Sequence, residues 1–155
     1  MRRDFWSAFY FESGPTAYDA SGPEGAQAAL DELLQDFSQQ GPTHGHVDFV
    51  GAGPGDPTLL THKARTLLHE ADVVLYDRLV DPRILELARR EALLIEVGKT
   101  SFGASMAQIE INQLIIDHVG RGVQVVRLKS GDPSLFGRLD EELEAIAAHD
   151  ISHSI

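Results

Sequence analysis

Two rhythms of apolar residues run along the chain, and they change over near residue 45. Before that point the spacing is helical. Phe5, Trp6, Phe9 and Tyr10 fall on one helical stripe with Phe11 beside them, more aromatic surface than a short helix can hide alone. Ala26, Ala29, Leu30, Leu33, Leu34 and Phe37 then recur at the spacing of an amphipathic helix over about 24–37. Gly14-Pro15 and Ser21-Gly22-Pro23 are expected to break the chain between them, and Gln39-Gln40-Gly41-Pro42-Thr43 reads as a linker.

After the linker, short apolar runs alternate with helical patterns. Strands are expected at about 46–50, 73–76, 93–97 and 123–128, and residues 151–155 begin another. Helices are expected at about 58–70, from Pro82 to about Arg90, and over about 139–149. A further helix carries Ile109, Leu114, Ile115 and Val119, with Ser105 and Gln108 as its capping box. Four βα units in series predict an α/β fold, a mainly parallel sheet with flanking helices, preceded by a short helical segment. The expected division is a helical segment over 1–40, a linker over 41–45 and an α/β domain over 46–155.

Composition narrows the class. With 43% hydrophobic and 24% charged residues, the 155-residue chain has the balance of a soluble globular protein. The net charge of −11 argues against a nucleic-acid partner, which needs a basic surface. No apolar run approaches membrane-spanning length, and Met1-Arg2-Arg3 leads into Asp4 rather than into the apolar core of a signal peptide. The absence of cysteine is compatible with a cytoplasmic location and excludes disulfides and thiolate metal sites. His44 and His46, and His149 and His153 four apart, come with no cysteine or HExxH pattern, so no metal site is expected.

The candidate chemistry lies in the turns that follow strands: GAGPGD, YDRLV, VGKT and LKSGDP. In the first, Gly51, Gly53 and Gly55 let the backbone approach a ligand closely. Asp56 and Pro57 suit the start of a helix, so free N–H donors face the loop. The dinucleotide fingerprint G-x-G-x-x-G has glycine where this chain has Asp56, and a plain strand-to-helix turn would need no ligand at all. Ligands of parallel sheets bind at the strands' carboxyl ends, which is where all four turns fall.

In order and spacing, these turns resemble the uroporphyrinogen-III C-methyltransferases, the S-adenosylmethionine-dependent tetrapyrrole methylases. The family pattern GAGPGDP-x-LLT, ADVVLYDRLV, VGK, Q-x-EIN and VVRLK-GGDP-x-x-FGR-x-x-EE is met by GAGPGDPTLLT, ADVVLYDRLV, VGK, QIEIN and VVRLKSGDPSLFGRLDEE, across residues 47–146. The first forty residues resemble the end of the dehydrogenase–ferrochelatase module of siroheme synthase. The resemblance implies a donor cleft between two α/β domains, of which this would be the first, the second being absent. It also implies a homodimer and methylation of uroporphyrinogen III to precorrin-2.

Residue by residue, the resemblance implies Asp77 as proton acceptor and Lys99 as proton donor. It implies Pro54, Ser130, Gly131, Asp132 and Leu135 as contacts to the S-adenosyl-L-methionine donor. The substrate's eight carboxylates need cations, for which Arg78, Arg127, Lys129 and Arg138 are candidates. Departures are Ser130 for the family's glycine, Ser134 for an aromatic and Leu139-Asp140 for a glycine pair. Asp140, Glu141, Glu142 and Glu144 read most simply as a solvated helix face. Two other readings stay open. Asp77 ends the second strand, as a nicotinamide-binding domain would require, and the chain could equally be a non-catalytic oligomerisation remnant.

Overall fold

Val47, Phe49 and Val50 bury their side chains on alternating faces of strand β1, His46–Gly51, which sits inside a five-stranded sheet. The structure is a computed structural model that describes residues 2–39, 45–98, 106–135 and 138–155. The other strands are β2 (Val73–Tyr76), β3 (Leu93–Glu96), β4 (Gln124–Lys129) and β5 (Ser152–Ser154). All pairings are parallel, in the order β3-β2-β4-β1-β5. The expected α/β architecture and the extra strand at 151–155 are therefore present.

Parallel strands need crossover helices, and these cover both faces. Helices α3 (His62–Glu70) and α4 (Pro82–Leu85) pack Ala64, Leu68 and Ile84 against Val50, Val74, Val126 and Leu128. On the opposite face, α5 (Gln108–Val119) and α6 (Leu139–Ala147) pack Ile111, Ile115, Leu139 and Ile146 against Val47, Phe49, Leu75 and Val125. Side chains alternate along a strand, so Arg127 and Lys129 share a face with Val125 and point toward α5 and α6. That geometry decides their fate.

Several boundaries differ from expectation. The helix predicted from residue 58 starts at His62. Asp56 does cap, accepting from Thr58 N at 2.8 Å, but only a 3-10 turn, Pro57–Leu59, follows before Leu60 turns extended. Thr61 then caps α3 by accepting from Ala64 N at 3.1 Å. The helix predicted through Arg90 is one turn long, because the next turns close by i to i−3 bonds from Leu87 and Ala88. Ser105 lies outside the described residues. The N-cap of α5 is Ala107, whose N–H donates to the Glu110 carboxylate at 2.8 Å.

Asp81 caps α4 and pairs with Arg83, and these hydrogen bonds lower its pKa from 3.8 to about 2. A depressed carboxylate pKa stabilises the fold above the unfolded value and loses that contribution as pH falls through the folded one. The Tm deficit of Asp81→Ala is thus expected to be complete above pH 4 and to shrink as pH falls toward 2, as read by calorimetry across that range.

The chain divides into two compact units, Met1–Thr43 and His44–Ile155. In the first, α1 (Arg2–Ala8) continues through a π-helical stretch, Phe9–Ser13, into α2 (Gly14–Gln39). Trp6 stacks on Tyr10 and meets Phe5 and Phe9 edge-on, so the aromatic stripe packs on itself. Gly14-Pro15 does not break the helix as expected. Pro15 instead follows directly on the π-helical turn, which closes with the Gly14 N–H on Phe9 O. The break falls at Ser21 and Gly22 alone, with Gly22 at φ +64°. The predicted linker falls largely on residues 40–44, outside the described ones.

Candidate functional site

The loops after β1 and β4 are stitched together at the carboxyl edge of the sheet. Ala52 N donates to Lys129 O at 2.8 Å and Gly53 N to Gly131 O at 3.2 Å. This approach requires glycine at 51, since a Cβ there would stand 2.7 Å from Gly131 O. Gly53 takes φ +60°, which only glycine adopts readily. Each loop then ends in the same local device. Asp56 accepts from the N–H and hydroxyl of Thr58, and Asp132 from those of Ser134, at 2.7–2.8 Å. The Ser134 hydroxyl and then its backbone N–H hold the Asp132 carboxyl below its usual range, so it is ionised at neutral pH.

Beneath these loops lies a pocket of about 640 Å³. Gly51, Gly53, Pro54, Gly131 and Asp132 form its mouth, and Leu59, Leu60, Ala64, Leu67 and Pro133 give it an apolar wall. A volume in the range of small-molecule sites, with backbone groups, Asp132, Lys63 and Thr61 set in an otherwise apolar lining, suits an amphipathic ligand.

Asp77 follows β2 directly and is tied to the loop after β4. Its Oδ1 accepts from Arg127 Nη2 at 2.6 Å and its Oδ2 from Ser130 N at 3.2 Å, while the side chain keeps 25% exposure. Arg127 donates its Nε to Glu142 Oε1 at 2.9 Å and its Nη1 to the carbonyls of Leu75 and Leu128. Lys129 Nζ donates to Glu142 Oε2 at 2.5 Å. Arg127, Lys129 and Glu142 are 3%, 1% and 0% exposed, so two acids and two cations form a nearly dry, charge-balanced group.

The residues singled out from sequence thus part company. Pro54, Gly131 and Asp132 meet at one pocket, and Ser130 bridges from that loop to Asp77. Leu135 is 62% exposed and does not line the pocket. Arg78 is exposed at the second turn, and exposed Arg138, in a left-handed conformation, pairs with Glu141 at 2.7 Å. Arg127 and Lys129 were expected on an open binding face and are instead interior, turned inward by strand alternation. Lys99 and His44 lie outside the described residues. His46 bonds Ser152 and Asp48, while His149 and His153 meet backbone carbonyls. Among the described residues no cluster of three potential ligands could hold a metal.

Sequence reasoning missed Glu142. It took the acids of α6 for a solvated face, and Glu142 is the correction. The cue was present, because Leu139, Glu142, Leu143 and Ile146 share one stripe of the helix.

Comparison with known proteins agrees with the loops. The family described as Tetrapyrrole (Corrin/Porphyrin) Methylases matches residues 46–155. A siroheme synthase from Ectopseudomonas mendocina is 46% identical over 155 residues, which is 100% of this chain and 33% of that protein. The chain therefore spans about a third of the length of the curated relatives it matches. Among solved structures, a uroporphyrin-III-C-methyltransferase from Thermus thermophilus aligns with TM-score 0.64 and 40% identity, over 72% of this chain and 46% of that one. A structure of the Thermus thermophilus enzyme complexed with S-adenyl homocysteine aligns with TM-score 0.62 and 48% identity, over 71% of this chain and 46% of that one. With the profile running through every strand of the sheet and both glycine loops, the chain belongs to the tetrapyrrole (corrin/porphyrin) methylases.

Proposed function

We propose that residues 46–155 are the donor-binding and proton-accepting part of an S-adenosylmethionine-dependent C-methyltransferase that converts uroporphyrinogen III to precorrin-2, on the route to siroheme and cobalamin. The observation that carries the reading is that one loop serves both features: Gly131 and Asp132 line the glycine-edged pocket, while Ser130, the residue before them, donates its N–H to the partly exposed Asp77 carboxylate. The pocket fits such a donor. Its glycine edge lets main chain lie against a ribose and amino acid, its apolar wall suits a purine, and ionised Asp132 suits a cationic ligand. Pro54, Ser130, Gly131, Asp132 and Leu135 are the proposed donor contacts.

The donor supplies an electrophilic methyl group. As a pyrrole carbon takes it up, the carbon–sulfur bond breaks and the ring becomes cationic. Asp77 then takes the ring proton, for which each of its oxygens retains a lone pair beyond its bond to Arg127 or Ser130. Lys99 is the proposed proton donor. Arg78 and Arg138, exposed at neighbouring turns, would meet substrate carboxylates. We further infer that residues 1–40 close a dehydrogenase–ferrochelatase module and 41–45 link it to the methylase. The whole works as a cytoplasmic homodimer without nucleic-acid or membrane partners. The net charge of −11 speaks against a nucleic-acid partner, and among the described residues no helix is long and apolar enough to cross a membrane.

The test is a thermal-shift titration of the 155-residue chain with S-adenosylhomocysteine and, in parallel, with NAD. At a hundredfold excess over Kd a ligand adds about 2.7 kcal/mol of stability, a shift of several degrees. S-adenosylhomocysteine is expected to raise Tm and NAD to leave it unchanged. Stabilisation by NAD alone would overturn the reading, and no shift with either would favour a scaffold.

A further inference from the structure

Arg127 lies too deep to greet a substrate, yet it touches the one carboxylate to which the reaction assigns a proton. We propose that Arg127, gripped from behind by Glu142, is a positioning residue that sets the orientation of Asp77. The proposal rests on the methylase reading above and adds to it a role for two buried side chains.

The geometry is directional. The Arg127 guanidinium is planar and its donors form a rigid fork. Nε is taken by Glu142 at 2.9 Å, Nη1 by the carbonyls of Leu75 and Leu128 at 3.4 and 3.2 Å, and Nη2 by Asp77 at 2.6 Å. With Nε and Nη1 held by three hydrogen bonds, the fourth, from Nη2, has one direction left, and Asp77 must meet it there. Ser130 N fixes the other carboxylate oxygen and so the rotation about the final side-chain bond. Asp77 alone could not hold this pose, since a quarter-exposed aspartate on a turn otherwise samples several rotamers. Glu142 is itself braced, by Lys129 at 2.5 Å and Gln108 at 3.3 Å. The chain of contacts runs from the interior of α6 through β4 to the turn after β2, and none of it needs to touch substrate.

A network that served stability alone would be indifferent to which cation remained. Two charge-balanced double variants separate the cases: Arg127→Met/Glu142→Gln, which leaves Lys129, and Lys129→Met/Glu142→Gln, which leaves Arg127 on Asp77. Both are made in a chimera where this chain replaces the matching third of the Ectopseudomonas mendocina siroheme synthase, and precorrin-2 formation is followed. The variant lacking Arg127 is expected to show kcat roughly 10–100-fold below the variant lacking Lys129, with tetrapyrrole KM equal within about threefold. Equal kcat values overturn the proposal in favour of a purely structural network. A raised KM at unchanged kcat overturns it in favour of direct substrate contact.

A second measurement does not need activity or either double variant. In the 155-residue chain, the Arg127 Nη2 resonance is expected to move on Asp77→Ala, and an unmoved resonance overturns the contact. An inactive unsubstituted chimera would instead sink the methylase reading, leaving the resonance to decide the inference.

Discussion

Asp77→Asn in the same chimera is expected to lower turnover by roughly two to four orders of magnitude while donor affinity stays nearly unchanged. Asparagine matches aspartate in shape, and its one carbonyl oxygen can keep the Arg127 contact. Its amide, however, would face the Ser130 N–H donor that the carboxylate now accepts, and it cannot take a proton at neutral pH. Of the proposed donor contacts only Ser130 bonds Asp77, and Pro54, Gly131 and Asp132, which line the pocket, do not, so most of the S-adenosylhomocysteine binding should survive. Calorimetry and single-turnover kinetics give the two numbers separately. Turnover within threefold of the unsubstituted enzyme would reduce Asp77 to a turn residue, whose backbone carbonyl accepts from Val80 N whatever its side chain does.

Most of the sheet was legible because its strands are short apolar runs between helical patterns, and such runs have few alternatives in an α/β chain. The helix starts were less so. Asp56-Pro57 is a sound capping signal, and it does cap, but nothing local announces that Leu60 turns extended and postpones α3 to His62. The loops carrying the donor contacts were visible as motifs, and three of their residues converge on one pocket.

The charged group was misread by applying the surface rule to interior positions. Arg127 and Lys129 alternate with Val126 and Leu128 in a strand covered on both faces, so neither alternation phase reaches solvent. A cation there demands a buried acid, and Glu142 is the acid on the apolar stripe of α6. That inference needs the strand order, which places β4 between β1 and β2. Periodicity within one segment does not supply it, and an acid among four acids looks solvated until its helix is set on the sheet.

The same group sets the largest stability effect expected of a single substitution. Glu142→Leu removes the carboxylate that Arg127 and Lys129 share, and leaves two cations, 3% and 1% exposed, against the single charge of Asp77. Removing one partner from a buried ion pair costs about 3–5 kcal/mol, because the remaining charge stays desolvated. Against a total of about 5–15 kcal/mol for a domain, that is a large share. Urea unfolding should show the midpoint falling with little change in slope. The triple variant Arg127→Met/Lys129→Met/Glu142→Leu is expected to regain most of the loss, since dry charges are replaced by dry hydrocarbon and the quarter-exposed Asp77 can hydrate. A single variant within 1 kcal/mol of the parent would mean that the two cations find water on their own. The buried group would then be held in place by its surroundings, and Glu142 could not be what holds Arg127 against Asp77.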